Sequence, residues 1–307
     1  MPDFLILLTD LIGTLERLAA ILASAPALFV QAGRLVEIVG DGVHIETRTV
    51  RPATLEAHAL RICRPVKPML GFPGAVTPAY LGRTLVEQLL HQPQLWAFRE
   101  LRGVTWAAPL SDDGTWRTEA GYDPASKMWV IGSELPIMPE TVTQEAAAAA
   151  LLEIRRTFAS FPFADRTVAV DATGESVVDL TQPPGRDESA FIVGLMTAVC
   201  RPSLPLAPAL LLRAPSVSGA GTGKGLLARA VMHIAYGIEA PALTTNGDRR
   251  EIEKGIAATM SASAPALYLD NLNDVDLQSN LLAQILTEPA CQVRLLGESR
   301  MRRLPSN

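Results

Sequence analysis

"LLLRAPSVSGAGTGKGLLARAVMHIAYG", residues Leu210 to Gly237, sets an apolar run, a glycine-rich turn, a lysine and a helical period in immediate succession. The run "ALLLRA" has the character of a buried parallel strand, and "KGLLARAVMHIAYG" has helical periodicity ending at Gly237, a natural C-terminal cap. Between them, Ser218, Gly219, Ala220, Gly221, Thr222, Gly223, Lys224 and Gly225 follow the outline G-x-x-x-x-G-K-[ST] of a phosphate-binding loop. Phosphates require closely spaced backbone N–H groups and the positive end of a helix. Glycines allow the approach, and a lysine at position 224 reaches the β and γ oxygens. Two positions depart from the outline: Ser218 stands for the first glycine, and Gly225 stands for the hydroxyl that coordinates magnesium. A magnesium ion is therefore expected on nucleotide oxygens, water and a carboxylate from elsewhere. A strand-to-helix turn that is glycine-rich for purely structural reasons stays open as the alternative.

Downstream, "APALYLDN" is an apolar run closing on Asp270, the kind of acidic strand end that holds magnesium directly or through water. Between the two lie a strand "ALTT" and a helix "DRREIEKGIAATMSA", and after Asp270 comes the helix "DLQSNLLAQILTE". Alternating strand and helix predicts an α/β unit over residues 186–307, a parallel sheet covered on both faces. Ligand then lies at the carboxyl ends of the strands, where Lys224 and Asp270 fall.

Upstream, the pattern predicts smaller α+β modules. Leu5, Leu8, Ile12, Leu15, Ala19 and Leu22 recur at steps of three and four and describe one apolar face of a helix. The same stretch lacks a basic n-region and is interrupted by Asp10, Glu16 and Arg17, so it reads as a packing helix rather than a signal peptide or membrane span. "ALFVQ", "RLVEIV" and "VHIETRTV" are joined by "AG" and "GDG", turn chemistry for antiparallel strands, and "ATLEAHALRIC" follows as a helix. This completes a module over residues 1–70, with "RPVKPMLGFPGAVTP" marking its boundary. Residues 75–182 form the next module. It has a helix "AYLGRTLVEQLLHQ", strands "GVTWAAPL", "TWRTEAGY" and "KMWVIG", a hairpin turn at "SDDGTW", and a helix "TVTQEAAAAALLEIRRTFASF" capped by Thr141 or Thr143. Trp96, Trp106, Trp116 and Trp129 all fall here, to fill a small β-rich core or to stack on bases.

At 307 residues, 48% hydrophobic and 19% charged, the chain is too apolar to be disordered, and its net charge of -5 provides no global basic field for nucleic acid. Any nucleic-acid contact must come from a local patch or an assembled ring. Cys63, Cys200 and Cys291 are dispersed and odd in number, and His44, His58, His91 and His233 are scattered, so neither a disulfide framework nor a zinc site is indicated. A reducing, cytoplasmic setting fits.

Taken together, "APSVSGAGTGKGLLARA", "LYLDN", "LAQILTEPACQVRLLGESRMRRLPSN", "LWAFRELRGVTWAAPLSDDGTWRTEAGYD" and "FPFAD" resemble the helicase-like ATPase region of phage and integrative-element primase/helicase proteins, motors of the superfamily 3 and AAA+ type. The resemblance covers roughly residues 80–307 and rests on several spaced motifs. It implies ATP and Mg2+ as cofactors, with Lys224 as the phosphate-loop lysine, Asp270 as the metal-holding aspartate, and Asn271 at the position that often carries a second acid. It also implies DNA as partner and a homo-oligomeric ring. Asn271 is not a carboxylate and cannot take a proton from water, with Glu298 a candidate substitute. The resemblance further implies that the chain stops short of the sensor strand and arginine finger, "CQVRLLG" and "MRRLPSN" being the two arms of a hairpin before that strand. Arg294, Arg300, Arg302 and Arg303 form a basic cluster suited to phosphate contacts, or to a solvated charged turn. Two rivals to the motor remain: a catalytically inactive nucleotide-binding adaptor, and a DNA-binding protein with a structural glycine turn.

Overall fold

The computed structural model describes all residues except 42–43, 112, 133–140, 216–220, 245–247, 273–276, 295–300 and 307. Strand β1 (Asp3–Leu5) is followed by helix α1 (Leu11–Ala23), and the helix starts where it does because the Asp10 carboxylate accepts the Gly13 N–H at 3.1 Å. That cap shortens the apolar face expected from the sequence. Leu15, Ala19 and Leu22 are buried, but Leu5 lies on β1, and Leu8 and Ile12 are 82% and 65% exposed. Strands β2 (Leu28–Gln31), β3 (Arg34–Asp41) and β4 (His44–Thr49) form the expected antiparallel meander, and α2 (Pro52–Ile62) follows with proline in its first turn.

The proline- and glycine-rich stretch expected to mark a boundary instead makes β5 (Arg64–Pro68) and β6 (Val76–Pro78), an antiparallel pair with β5 also parallel to β1. Helix α3 (Arg83–Leu90) then packs Leu85, Val86 and Leu89 into the same core as Phe4, Leu18, Leu22, Leu55 and Ala59, and this apolar cluster continues to Phe98. Strand β7 (Arg99–Glu100) joins the meander alongside β2 in the order β4-β3-β2-β7.

Next, β8 (Gly103–Thr105), β9 (Gly121–Asp123) and β10 (Met128–Val130) form a mixed sheet with β10 in the middle. Of "TWRTEAGY", only the end is strand. Trp116 instead bridges Leu110 across the expected turn, where Gly114 N–H donates to the Ser111 carbonyl. Trp129 meets the Phe29 ring edge-on at 5.9 Å and Trp96 packs on Phe98 at 6.4 Å, so these two tryptophans fill cores. Helix α4 (Gln144–Thr157) is capped by Thr143, and β11 (Val168–Val170) pairs with β12 (Ser176–Val178). Helix α5 (Arg186–Val199) and helix α6 (Lys224–Tyr236) follow, then β13 (Ala242–Thr244), α7 (Arg249–Ser261), β14 (Tyr268–Asp270), α8 (Asn280–Thr287) and a hairpin of β15 (Ala290–Arg294) and β16 (Met301–Pro305).

The architecture is thus mixed α/β, built from several small sheets. In the last unit β13 and β14 are parallel, as the strand–helix alternation predicts, but they are two strands and not a wide sheet. Residues 209–214, "ALLLRA", are not a strand. Pro205, Pro208 and Pro215 flank this run and remove backbone donors. Leu212 packs beside Phe191 and Leu227, while Leu211 points to solvent. Among the described residues no helix is long and apolar enough to cross a membrane.

Candidate nucleotide site

Helix α6 begins at Lys224 because Gly223, its N-cap, adopts a left-handed φ of +80°, a conformation open to glycine and costly to other residues. Gly223 has no side chain with which to cap the helix, and a helix start is where backbone N–H groups and the positive end of the helix dipole can receive an anion. Gly221 is also left-handed, with open space where a Cβ would lie. Ser218, Gly219 and Ala220 lie outside the described residues. The Lys224 ammonium folds back onto its own loop and donates to the Thr222 hydroxyl at 3.1 Å.

Both ends of α6 are anchored. Leu227 and Val231 pack on Phe163, Phe191, Ile192 and Leu195, and a Cβ on Gly223 would touch the Phe161 ring at 3.5 Å. At the other end Gly237 is left-handed, as expected of the cap, and lies so close to Trp106 that a Cβ would fall 2.6 Å from that residue's own Cβ. The Trp106 N–H donates to the Tyr236 carbonyl at 3.1 Å, which fastens the β8 strand to the helix.

Next to Gly223 sits the "FPFAD" segment. In "FPFAD", Phe161 and Phe163 stack at 4.8 Å, Phe163 continues onto Phe191 at 5.7 Å, and Asp165 accepts the Arg186 and Asp187 N–H groups at 2.7 and 3.2 Å, capping α5 from a distance in sequence. Arg155 and Glu188 form a buried two-pronged pair at 2.7 and 3.2 Å, and a further Arg155 N–H reaches the Gln182 carbonyl at 2.9 Å. This pair ties α4 to α5. A helical residue such as Arg155 reads as surface charge in a sequence, and only its distant partner reveals the burial.

Strand β14 carries Tyr268 and Asp270, two residues apart and therefore on one face. A Cβ on Gly225 would lie 3.3 Å from the Tyr268 hydroxyl, so this face meets the first turn of α6. The Tyr268 phenol is pushed above its ordinary value, first by burial and then by the neighbouring Asp270 carboxylate. Asp270 accepts the Asn271 N–H at 2.8 Å, and Asn271 itself is left-handed at φ +57°, which asparagine tolerates better than most residues. Tyr268 thus stands between Gly225 and Asp270, and its place in an apolar strand run gives no local sign of it in the sequence.

The basic cluster is divided. Arg294 and Arg303 are exposed on the β15–β16 hairpin, whereas the Arg302 guanidinium turns inward and donates to the Ala32 carbonyl at 3.4 Å, in the turn between β2 and β3. Arg300 and Glu298 lie outside the described residues. The hairpin itself pairs as expected, Cys291 with Leu304 and Val293 with Arg302, with Cys291, Val293 and Leu304 buried against Ala257. A cavity of about 530 Å³ runs between the β-meander and α7, lined by Arg34, Thr47, Thr49, Lys254 and Arg294, and a second of about 670 Å³ lies by Glu37 and Arg51. Neither includes Lys224 or Asp270. Among the described residues no three His, Cys, Asp or Glu side chains cluster to hold a metal. A nucleotide-borne magnesium needs no such cluster, because phosphate oxygens and water provide most of its ligands.

No family model, curated protein or solved structure matches the chain.

Proposed function

We propose that residues 186–307 bind ATP with Mg2+ at the turn before α6, as part of a motor that couples ATP hydrolysis to movement along DNA in an oligomeric, ring-like assembly. The observation that supports this reading is the packing of two motifs far apart in sequence. The strand ending at Asp270 lies against the helix starting at Lys224, with the Tyr268 hydroxyl 3.3 Å from the Cβ position of Gly225. A glycine turn kept only for chain geometry has no need of an acidic strand end beside it. Lys224 and the N–H groups of Gly223, Lys224 and Gly225 would hold the β and γ phosphates, and Asp270 would face the metal. Bound Mg2+ supplies positive charge at the β and γ oxygens. Arg294 and Arg303 are the exposed guanidiniums that would meet DNA phosphates, since Arg302 already serves the Ala32 carbonyl.

One observation favours the inactive adaptor as second reading. Asn271 follows Asp270 with an amide where a water-activating carboxylate would stand. The two readings separate on turnover. Equilibrium titration with a fluorescent ATP analogue, with and without magnesium, tests binding for both, and steady-state ATPase measurement with single-stranded DNA tests the motor. Saturable, magnesium-enhanced binding with DNA-stimulated turnover is expected. Binding without turnover selects the adaptor, and no binding removes both.

A further inference from the structure

The glycine that departs from the phosphate-loop pattern has a specific neighbour. The nearest atom to a Cβ built on Gly225 is the Tyr268 hydroxyl oxygen, at 3.3 Å. A serine Oγ extends one bond beyond Cβ, so a serine at 225 and a tyrosine at 268 would bring two hydroxyls into the same small volume. The Tyr268 hydroxyl oxygen is buried and has the Asp270 carboxylate as its hydrogen-bonding neighbour, so a hydroxyl and a carboxylate stand together beside the first turn of α6. It shares a strand face with Asp270 and is flanked by the Arg229 and Glu239 side chains, themselves paired at 3.6 Å.

We propose that the Tyr268 hydroxyl takes the place of the serine or threonine hydroxyl that the loop lacks at Gly225, and provides the neutral oxygen beside Mg2+ on a bound nucleotide, with Asp270 as its anionic companion. This rests on the ATP reading above. Glycine at 225 and tyrosine at 268 are then two halves of one exchange: the hydroxyl has moved from the helix to the neighbouring strand, and the helix position has been emptied to admit it.

The test is a hydroxyl swap. The unaltered chain, Tyr268→Phe, Gly225→Ser and the double variant Gly225→Ser/Tyr268→Phe are titrated with a fluorescent ATP analogue in Mg2+ and in EDTA, and the ratio of the two affinities is the readout. Tyr268→Phe keeps the ring and its packing, and should lower the magnesium enhancement about tenfold. The double variant should recover it to within about threefold, because the serine hydroxyl enters the volume the phenol has left. A Tyr268→Phe protein with the original enhancement, or a double variant with no recovery, overturns the inference while leaving ATP binding in place. A wild-type chain that binds no nucleotide, indistinguishable from Lys224→Ala, overturns the ATP reading and the inference with it. A second measurement needs no variant. In tyrosine-labelled wild-type protein, Mn2+ with the ATP analogue should broaden the Tyr268 ring resonance more than those of Tyr80, Tyr122 and Tyr236 by paramagnetic relaxation, and equal broadening of all four contradicts the proposal.

Discussion

Where α1, α2 and α3 meet, Leu15, Leu18, Leu22, Leu55 and Leu89 are buried to near zero exposure, and the most exposed apolar side chains of that region, Leu70 and Leu8, lie in turns, whereas on α5 and α6 themselves Val193, Met196, Leu226 and Ile234 stand open, Leu226 at 72%. Composition does not explain the contrast, since both regions are rich in leucine, valine and isoleucine. The first region brings the apolar stripes of α1, α2 and α3 together, so each helix covers another. In the second, α5 and α6 share one core through Phe191 and Leu227, and the parallel pair β13–β14 is too narrow to cover the remaining faces. Apolar area gives stability only where a facing layer exists to remove it from water.

The comparison can be broken most severely at Arg155–Glu188, where the second region relies on a buried ion pair rather than on a wide core. Glu188→Ala leaves a buried guanidinium without its counter-charge and should cost about 3–5 kcal/mol. Urea unfolding followed by the Trp96 environment against that of Trp106 should show loss of the α4–α6 region first, with the α1–α3 region retained. Simultaneous loss would mean that the two regions unfold as one unit. Next in size, Leu18→Ala empties a filled site among α1, α2 and α3 and should cost about 2–5 kcal/mol. Gly237→Ala combines a left-handed backbone with a clash against Trp106 and should cost on the order of 1–3 kcal/mol, read as a lower urea midpoint. Leu226→Ala, on the open face of α6, should stay within about 0.5 kcal/mol. If Leu226→Ala proves as damaging as Leu18→Ala, that face is covered in solution and the contrast between regions disappears.

What the sequence made legible follows the same division between local and distant causes. Helix ends set by Thr143 and Gly237, the β2–β4 meander with its short turns, and the β15–β16 hairpin are determined within a few residues of chain, and periodicity and capping chemistry report them. The run "ALLLRA" shows the limit. Its composition suits a strand, but a strand exists only when another supplies its hydrogen bonds, and flanking prolines weigh against that pairing. The N-terminal helix is a smaller case of the same kind, its periodic face reaching past the Asp10 cap into residues that became strand and turn. In the candidate site, Gly221, Gly223 and Lys224 were readable as a pattern; a helix does start at Lys224, but residues 209–214 do not form the strand that the pattern places before the loop. Tyr268 was not readable, because its importance lies in what Gly225 lacks across a gap between two elements. Arg302 was hidden for a related reason: its acceptor, the Ala32 carbonyl, is near the other end of the chain.

The central claim, that the turn before α6 holds the phosphates of ATP, is tested most directly by calorimetric titration of Mg-ATP into the wild-type chain and into Lys224→Ala. Lys224 is a charged donor, and charge-assisted hydrogen bonds contribute roughly 1.5–3 kcal/mol, so the account predicts saturable wild-type binding weakened about tenfold to a hundredfold in the variant. Equal affinity for the two proteins, with the variant's melting temperature unchanged, would contradict it.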